Sequence, residues 1–262
     1  MHVERLAHAL EAARAAAQAA AQVILRHWQS GVVVEWKSDA TPVTQADREA
    51  EQAIRAVLAR ALPEAGIYGE EYGRSGDEHL LWLVDPLDGT KSFVRRTPFF
   101  STQIALMEAG ELVLGVSCAP VYGETMWAAR GMGAWLDGRR VTVADTARLE
   151  QAALSTGNIK SLAADARWAA FGELVRTVDR IRGYGDFCHY HLLARGALDL
   201  VLESDVHVLD VAALAVIVRE AGGIFTDLDG QPPGLATRSV LAGVPALHAQ
   251  ALARLRAAPR SC

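Results

Sequence analysis

The segment Trp82-Leu83-Val84-Asp85-Pro86-Leu87-Asp88-Gly89-Thr90 sets two carboxylates three residues apart, directly behind an apolar run. Pro86 prevents regular structure between them and Gly89 permits a tight turn, so both side chains can converge on one point beyond a strand end. Carboxylate and carbonyl oxygens are the donors a hard cation such as Mg²⁺ prefers, and such a site leaves positions for water and phosphate oxygens. The same residues also read as a plain Asp-Gly turn. Further acids bear on the choice: Gly69-Glu70-Glu71-Tyr72-Gly73 sets two glutamates in a glycine-flanked loop ahead of the run. Asp210 opens an apolar helical stretch, where as an N-cap its carboxylate could hold free N–H groups, ligate a cation, or do both.

These acids lie far apart in the chain and need a frame to bring them together. Leu6, Leu10, Ala13, Ala17, Ala20 and Ile24 recur at spacings of three and four, which predicts one buried face of a helix over about residues 3–28. Thr44-Gln45-Ala46-Asp47 has the pattern of a capping box, followed by Ala50, Ile54, Val57 and Leu58 at helical spacing and an end near Leu62-Pro63. The run Leu80-Leu81-Trp82-Leu83-Val84 predicts a fully buried strand that stops at Asp85-Pro86, because proline cannot continue a ladder. From 99 to 143, short apolar runs alternate with Ala109-Gly110 and Asp137-Gly138, the pattern of antiparallel hairpins. After Arg148 the pattern changes to alternating α/β: strands at 153–155 and 198–202, and helices at 163–178, 187–195 and 211–221, the last two closed by Gly196 and Gly222-Gly223. The expectation is one catalytic unit over 1–262, with a lobe of helices and antiparallel sheet at about 1–147, an α/β lobe at about 148–262, and a ligand cleft between them.

Composition narrows the partner. A net charge of -5 with scattered basic residues gives no footprint for nucleic acid, which leaves a small molecule as the expected ligand. Glu4, Arg5, His8, Glu11 and Arg14 interrupt the Ala-rich N-terminal stretch before a signal peptide or membrane span could build up. Cys118, Cys188 and Cys262 are odd in number and show no zinc-site spacing, so they read as reduced thiols in a cytoplasm.

Taken in order, these motifs resemble the inositol monophosphatase family of magnesium-dependent phosphatases. Its first signature is matched by WLVDPLDGTKSF at 82–93 and its second by DVAALAVIVREAGG at 210–223, with the family's GEE at 69–71 and its earlier pattern at Lys37, Pro42-Val43-Thr44 and Asp47. One departure is Leu209, where the family usually has an aromatic residue. The resemblance implies a layered αβαβα sandwich, a homodimer, and two or three Mg²⁺ per site. It implies that Glu70, Asp85 and the Leu87 carbonyl hold one cation, and that Asp85, Asp88 and Asp210 hold a second. It further assigns Glu70 and the Thr90 hydroxyl, supported by Asp47, to orienting the attacking water, and the Gly89 and Thr90 N–H groups to the phosphate. For Asp47 the capping box alone is an equal explanation. An aspartyl-phosphate route of the haloacid-dehalogenase type would need a second aspartate where Pro86 stands, so direct attack by water is expected.

Substrate choice follows from the stretch around Asp186, Gly183 to Tyr190 running on to Glu203, which resembles the histidinol-phosphate phosphatase branch. Asp186 and Glu203 would face the alcohol portion of the substrate, where two carboxylates suit an amine and an imidazole. As alternatives, Asp186 could cap the helix after it and Glu203 could be a strand-end surface charge. Inositol phosphate is the second expectation, and a catalytically silent binding module of the same fold is the non-enzymatic one. His189, His191 and His207 are expected to pack or sit at the surface rather than ligate metal.

Overall fold

A computed structural model describes residues 1–30, 34–36 and 42–257 of the chain; Lys37 and Cys262 lie outside the described residues. The N-terminal helix α1 (Val3–Ser30) buries Leu6, Leu10, Ala13, Ala17, Ala20 and Ile24, as their spacing predicts. A short hairpin, β1 (Val34–Trp36) with β2 (Pro42–Thr44), leads into α2 (Gln45–Ala61). The predicted capping box is present: Thr44 Oγ1 accepts from the Ala46 N–H at 3.1 Å, and Asp47 Oδ2 accepts from the Thr44 N–H at 2.8 Å.

The first sheet takes its strands in the spatial order β10-β9-β8-β7-β6-β5-β3-β4. Its members are β3 (Gly66–Gly69), β4 (Gly73–Ser75), β5 (Leu80–Asp88), β6 (Ser101–Glu108), β7 (Glu111–Ala119), β8 (Glu124–Ala129), β9 (Ala134–Leu136) and β10 (Arg139–Val141). A five-residue helix, α3 (Thr90–Val94), follows β5. All neighbouring pairs run antiparallel except β3 with β5. The hairpin turns at Ala109-Gly110 and Asp137-Gly138 carry the positive φ at both residues that a type I′ turn demands. In β5, Leu81 and Leu83 enter one core while Leu80, Trp82 and Val84 enter another, so the continuous apolar run reflects a strand buried on both faces. Contrary to expectation, β5 does not stop at Asp85-Pro86. It continues to Asp88 through a bulge in which Pro86 and Leu87 together oppose Thr102, and a bulge is where proline can sit inside a sheet.

The second sheet has the order β12-β11-β13-β15-β14, with β11 (Ala153–Thr156) parallel to β12 (Arg180–Arg182) and β13 (Leu200–Ser204), and β15 (Ser239–Gly243) antiparallel to β13 and β14 (Ile224–Thr226). The helix expected over 163–178 is two, α4 (Lys160–Ala163) and α5 (Trp168–Thr177). The break is at Asp165, whose side chain accepts from the Arg167 N–H at 2.7 Å and so competes with helical pairing. Helices α6 (Asp186–Ala194) and α7 (Val208–Glu220) follow, and α8 (Pro245–Arg256) closes the described chain.

Three cores define the layers. One joins α1 and α2 to the first sheet, a second holds α6 and α7 between the two sheets, and a third joins α5 and α8 to the outer face of the second sheet. This is the expected αβαβα sandwich. Leu209, where a larger aromatic was the family pattern, is buried in the middle core. Among the described residues no helix is long and apolar enough to cross a membrane, and Cys118 and Cys188 are free thiols.

Candidate active site

Three elements deliver the central carboxylates. The bulge near the end of β5 carries Asp85 and Asp88, and the first turn of α7 carries Asp210. One carboxylate oxygen from each lies within 4.8 Å of the others. Each is oriented by a local hydrogen bond: Asp85 Oδ1 accepts from the Leu87 N–H at 3.0 Å, Asp88 Oδ2 from the Ser101 hydroxyl at 3.3 Å, and Asp210 Oδ2 from the His207 N–H at 2.8 Å. The last bond corrects the predicted role of Asp210. Helix α7 starts at Val208, earlier than its apolar pattern suggests; His207 is the N-cap and Asp210 is the third residue of a capping box. Its other oxygen remains available to the cluster.

The electrostatics of the cluster are unfavourable without a cation. Burial pushes the Asp85 pKa well above the carboxylate range, and the charges of Glu70, Asp88 and Asp210 push it further. Burial does the same to Asp88, helped by Asp186, Asp210 and Glu203. Asp210 is raised to about 7, by burial and then by Glu70, Glu203 and Asp186 acting against its bond to His207. Besides burial, the groups that raise these pKa values are other acids. An all-oxygen set of carboxylates, Asp85 buried and Asp88 and Asp210 half-buried, in mutual repulsion fits a hard divalent cation, which would relieve it.

Next to this cluster, Thr90 Oγ1 lies 3.0 Å from Asp47 Oδ1 and 3.0 Å from the Leu87 carbonyl oxygen. Asp47 is buried, and its second oxygen is already held by Thr44. Its carboxyl therefore caps α2 and faces Thr90 at once. Burial raises its pKa, with the Thr44 and Thr90 bonds opposing. Gly89 has φ +88° and is the N-cap of α3; a Cβ there would fall 2.5 Å from the Phe99 carbonyl oxygen. Only glycine turns the chain here, and the turn leaves the Thr90 N–H at a helix start, where it has no partner within the helix. Glu70 follows β3 and is set against Asp85 by the backbone bond from its own N–H to the Val84 carbonyl, 3.2 Å.

Asp88 and Asp210 line one cavity together with Asn158, Asp186, Tyr190 and Glu203. Asp186 does not cap α6: the N-cap is Gly185, and Asp186 begins the helix with φ +46°. Burial, then the charge of Glu203, raises its pKa to about 6. Glu203 is not a surface charge either. It is 3% exposed and accepts from the Tyr190 hydroxyl at 2.6 Å, the Asn158 N–H at 3.2 Å and His189 Nε2 at 3.0 Å. Burial alone would raise its pKa, but His189 and these bonds outweigh that and hold it below the ordinary value. A Cβ at Gly157 would fall 1.6 Å from Glu203 Oε1, so the space for this carboxylate is made by that glycine. Gly157, Asn158 and Tyr190 were not singled out by the sequence, although Gly157-Asn158 directly after a parallel strand is a usable signal. The carboxylate cluster is made by Asp85, Asp88 and Asp210, and His189, His191 and His207 contribute no atom to it.

Comparison with known proteins agrees with this geometry. Residues 5–260 match the model of the inositol monophosphatase family. Over 230 residues, 86% of this chain and 88% of the relative, the chain is 44% identical to a histidinol-phosphatase of Mycobacterium tuberculosis. It is 40% identical over 237 residues to a histidinol-phosphatase of Streptomyces coelicolor, covering 87% of each. Among solved structures, the extragenic suppressor protein suhB from Bartonella henselae superposes with a TM-score of 0.87 at 31% identity, covering 95% of this chain and 98% of that one.

Proposed function

The chain belongs to the inositol monophosphatase family and is a phosphoric monoester hydrolase, and on that premise we propose that it cleaves L-histidinol phosphate to L-histidinol and phosphate in a Mg²⁺-dependent reaction of histidine biosynthesis. The observation that supports the proposal is that Asp88 and Asp210 of the Asp85, Asp88 and Asp210 cluster line the same cavity as the Asp186 and Glu203 carboxylates.

In this reading Glu70, Asp85, Asp88, Asp210 and the Leu87 carbonyl hold two or three Mg²⁺. The cations would supply charge neutralisation of the phosphate and of the leaving oxygen, and a lower pKa for water. The chain's own part is placement. Thr90 donates its hydroxyl proton to Asp47 and turns its lone pairs to the attacking water, which Glu70 holds from a second side. The Gly89 and Thr90 N–H groups receive phosphate oxygens. Asp186 and Glu203 face the alcohol part of the substrate, whose ammonium and imidazole match an acidic lining where a neutral polyol would leave the Asp186 charge uncompensated. The two histidinol-phosphatase relatives support the same choice. A cytoplasmic homodimer completes the reading and is checked by sedimentation.

The test is phosphate release with Mg²⁺ from histidinol phosphate, myo-inositol 1-phosphate and an aryl phosphate. Asp186→Asn should lower kcat/KM for histidinol phosphate about tenfold or more, from the loss of one buried charged pair, while leaving the aryl phosphate nearly unaffected. Higher efficiency on inositol phosphate, or equal losses on all three esters, sinks the substrate assignment.

A further inference from the structure

Behind Asp88 a line of buried polar side chains crosses the first sheet, and of it the site described so far uses only Ser101. Ser101 and Gln103 on β6, Ser117 on β7 and His191 on α6 are each at most 1% exposed. Gln103 Nε2 donates to Ser101 Oγ at 2.8 Å and to Ser117 Oγ at 3.1 Å; Ser117 Oγ lies 2.8 Å from His191 Nε2; and Ser101 donates to Asp88 Oδ2 at 3.3 Å. Burying four polar groups in a packed layer is costly unless they bond one another, and apolar side chains would fill the space at less cost.

The direction of every bond in the line follows from its outer end. His191 Nδ1 stands 3.6 Å from Glu124 Oε2, and Glu124 pairs with Arg195 at 3.2 Å. Burial holds the imidazole neutral against the pull of Glu124, and that carboxylate favours the single proton on Nδ1. Nε2 is then an acceptor, so the Ser117 hydroxyl donates to it and must itself accept from Gln103. The Gln103 amide is thereby turned with its NH₂ toward both serines, and the Ser101 proton is left to point at Asp88. The opposite amide orientation would strand two buried N–H groups and remove the donor from Asp88; the orientation present leaves Gln103 Oε1 without a partner, while His191 Nδ1 makes no hydrogen bond and meets Glu124 only as a nearby charge.

We propose that Ser101, Gln103, Ser117 and His191 are positioning residues that fix the Asp88 carboxylate for cation binding, with the imidazole of His191 setting the polarity of the line. This rests on the reading that Asp88 helps hold Mg²⁺. Outer partners of this kind change metal affinity by roughly ten- to a hundredfold.

The experiment titrates Mg²⁺ against the thermal unfolding of substrate-free protein, alongside kcat and KM at saturating Mg²⁺. Gln103→Leu and His191→Phe should each weaken apparent Mg²⁺ affinity about tenfold and leave KM for the phosphate ester within about twofold. The double variant should be no weaker than the worse single one, because both break one line. His191→Gln, whose amide oxygen can replace Nε2 as the acceptor, should restore most of the affinity. Wild-type affinity in both single variants, additive losses, or His191→Gln as weak as His191→Phe would each overturn the proposal. A wild-type protein indifferent to Mg²⁺ would instead remove the cation reading, and the positioning role with it. Unfolding in EDTA checks that each variant is folded; should Gln103→Leu not fold, Ser117→Ala deletes a single oxygen from the same line and carries the same expectation.

Discussion

The two groups of acids at the site handle negative charge in opposite ways. On the one hand, Asp85, Asp88 and Asp210 stand together, and burial and the charges of neighbouring carboxylates lift all three pKa values, Asp210 to about 7. On the other, Glu203 is as deeply buried yet is held below the ordinary carboxylate pKa by His189, Tyr190 and Asn158. The fold completes one carboxylate with its own donors and leaves the others to be completed from outside. Charge that the protein does not neutralise marks where a cation belongs, and charge that it does neutralise marks fixed architecture.

The contrast is broken most directly at Asp88. Asp88→Asn should reduce Mg²⁺-dependent phosphate release on the order of 10³-fold, the equivalent of several kcal/mol of transition-state stabilisation. In EDTA, Asp85→Asn should raise the melting temperature, since it deletes a charge that repels its neighbours; a fall would mean the cluster is satisfied internally. Glu203→Gln should do the reverse and cost about 2–3 kcal/mol in urea unfolding, because it sets an NH₂ donor among the donors of Tyr190, Asn158 and His189. Tyr190→Phe, which removes one of those donors, should cost about 1 kcal/mol. Least in size is the pH effect. A carboxyl raised from 3.8 contributes stability that is present below that value and lost as pH rises through its folded pKa, about 6 for Asp186 and about 7 for Asp210. The metal-free protein should therefore lose stability across that window. The gain in melting temperature on adding Mg²⁺ should grow across it, as protons cease to compete with the cation. A gain independent of pH would mean that Asp210 does not hold the cation.

Much of the frame was legible in the chain. The period of α1, the Thr44 capping box and the two hairpin turns are local signals, fixed by residues within a turn of one another. The short strands β12, β14 and β15 and the break between α4 and α5 were not, because three to five residues carry little periodicity and the Asp165 turn outweighs helix propensity by one side-chain bond. Pro86 misled for a related reason. Its missing N–H forbids a regular ladder, but whether a bulge absorbs it depends on β6.

The sequence by itself determined which residues could do chemistry, since Asp85, Asp88, Gly89, Thr90 and Asp210 advertise their types and spacing along the chain. Only the tertiary structure decided that Asp210 reaches Asp85 and Asp88, that Glu203 is neutralised while Asp186 is not, and that Ser101, Gln103, Ser117 and His191 form one line. Those outcomes depend on distances between elements and on which donors each carboxylate meets after burial. Neither quantity exists until the sheets and helices have packed.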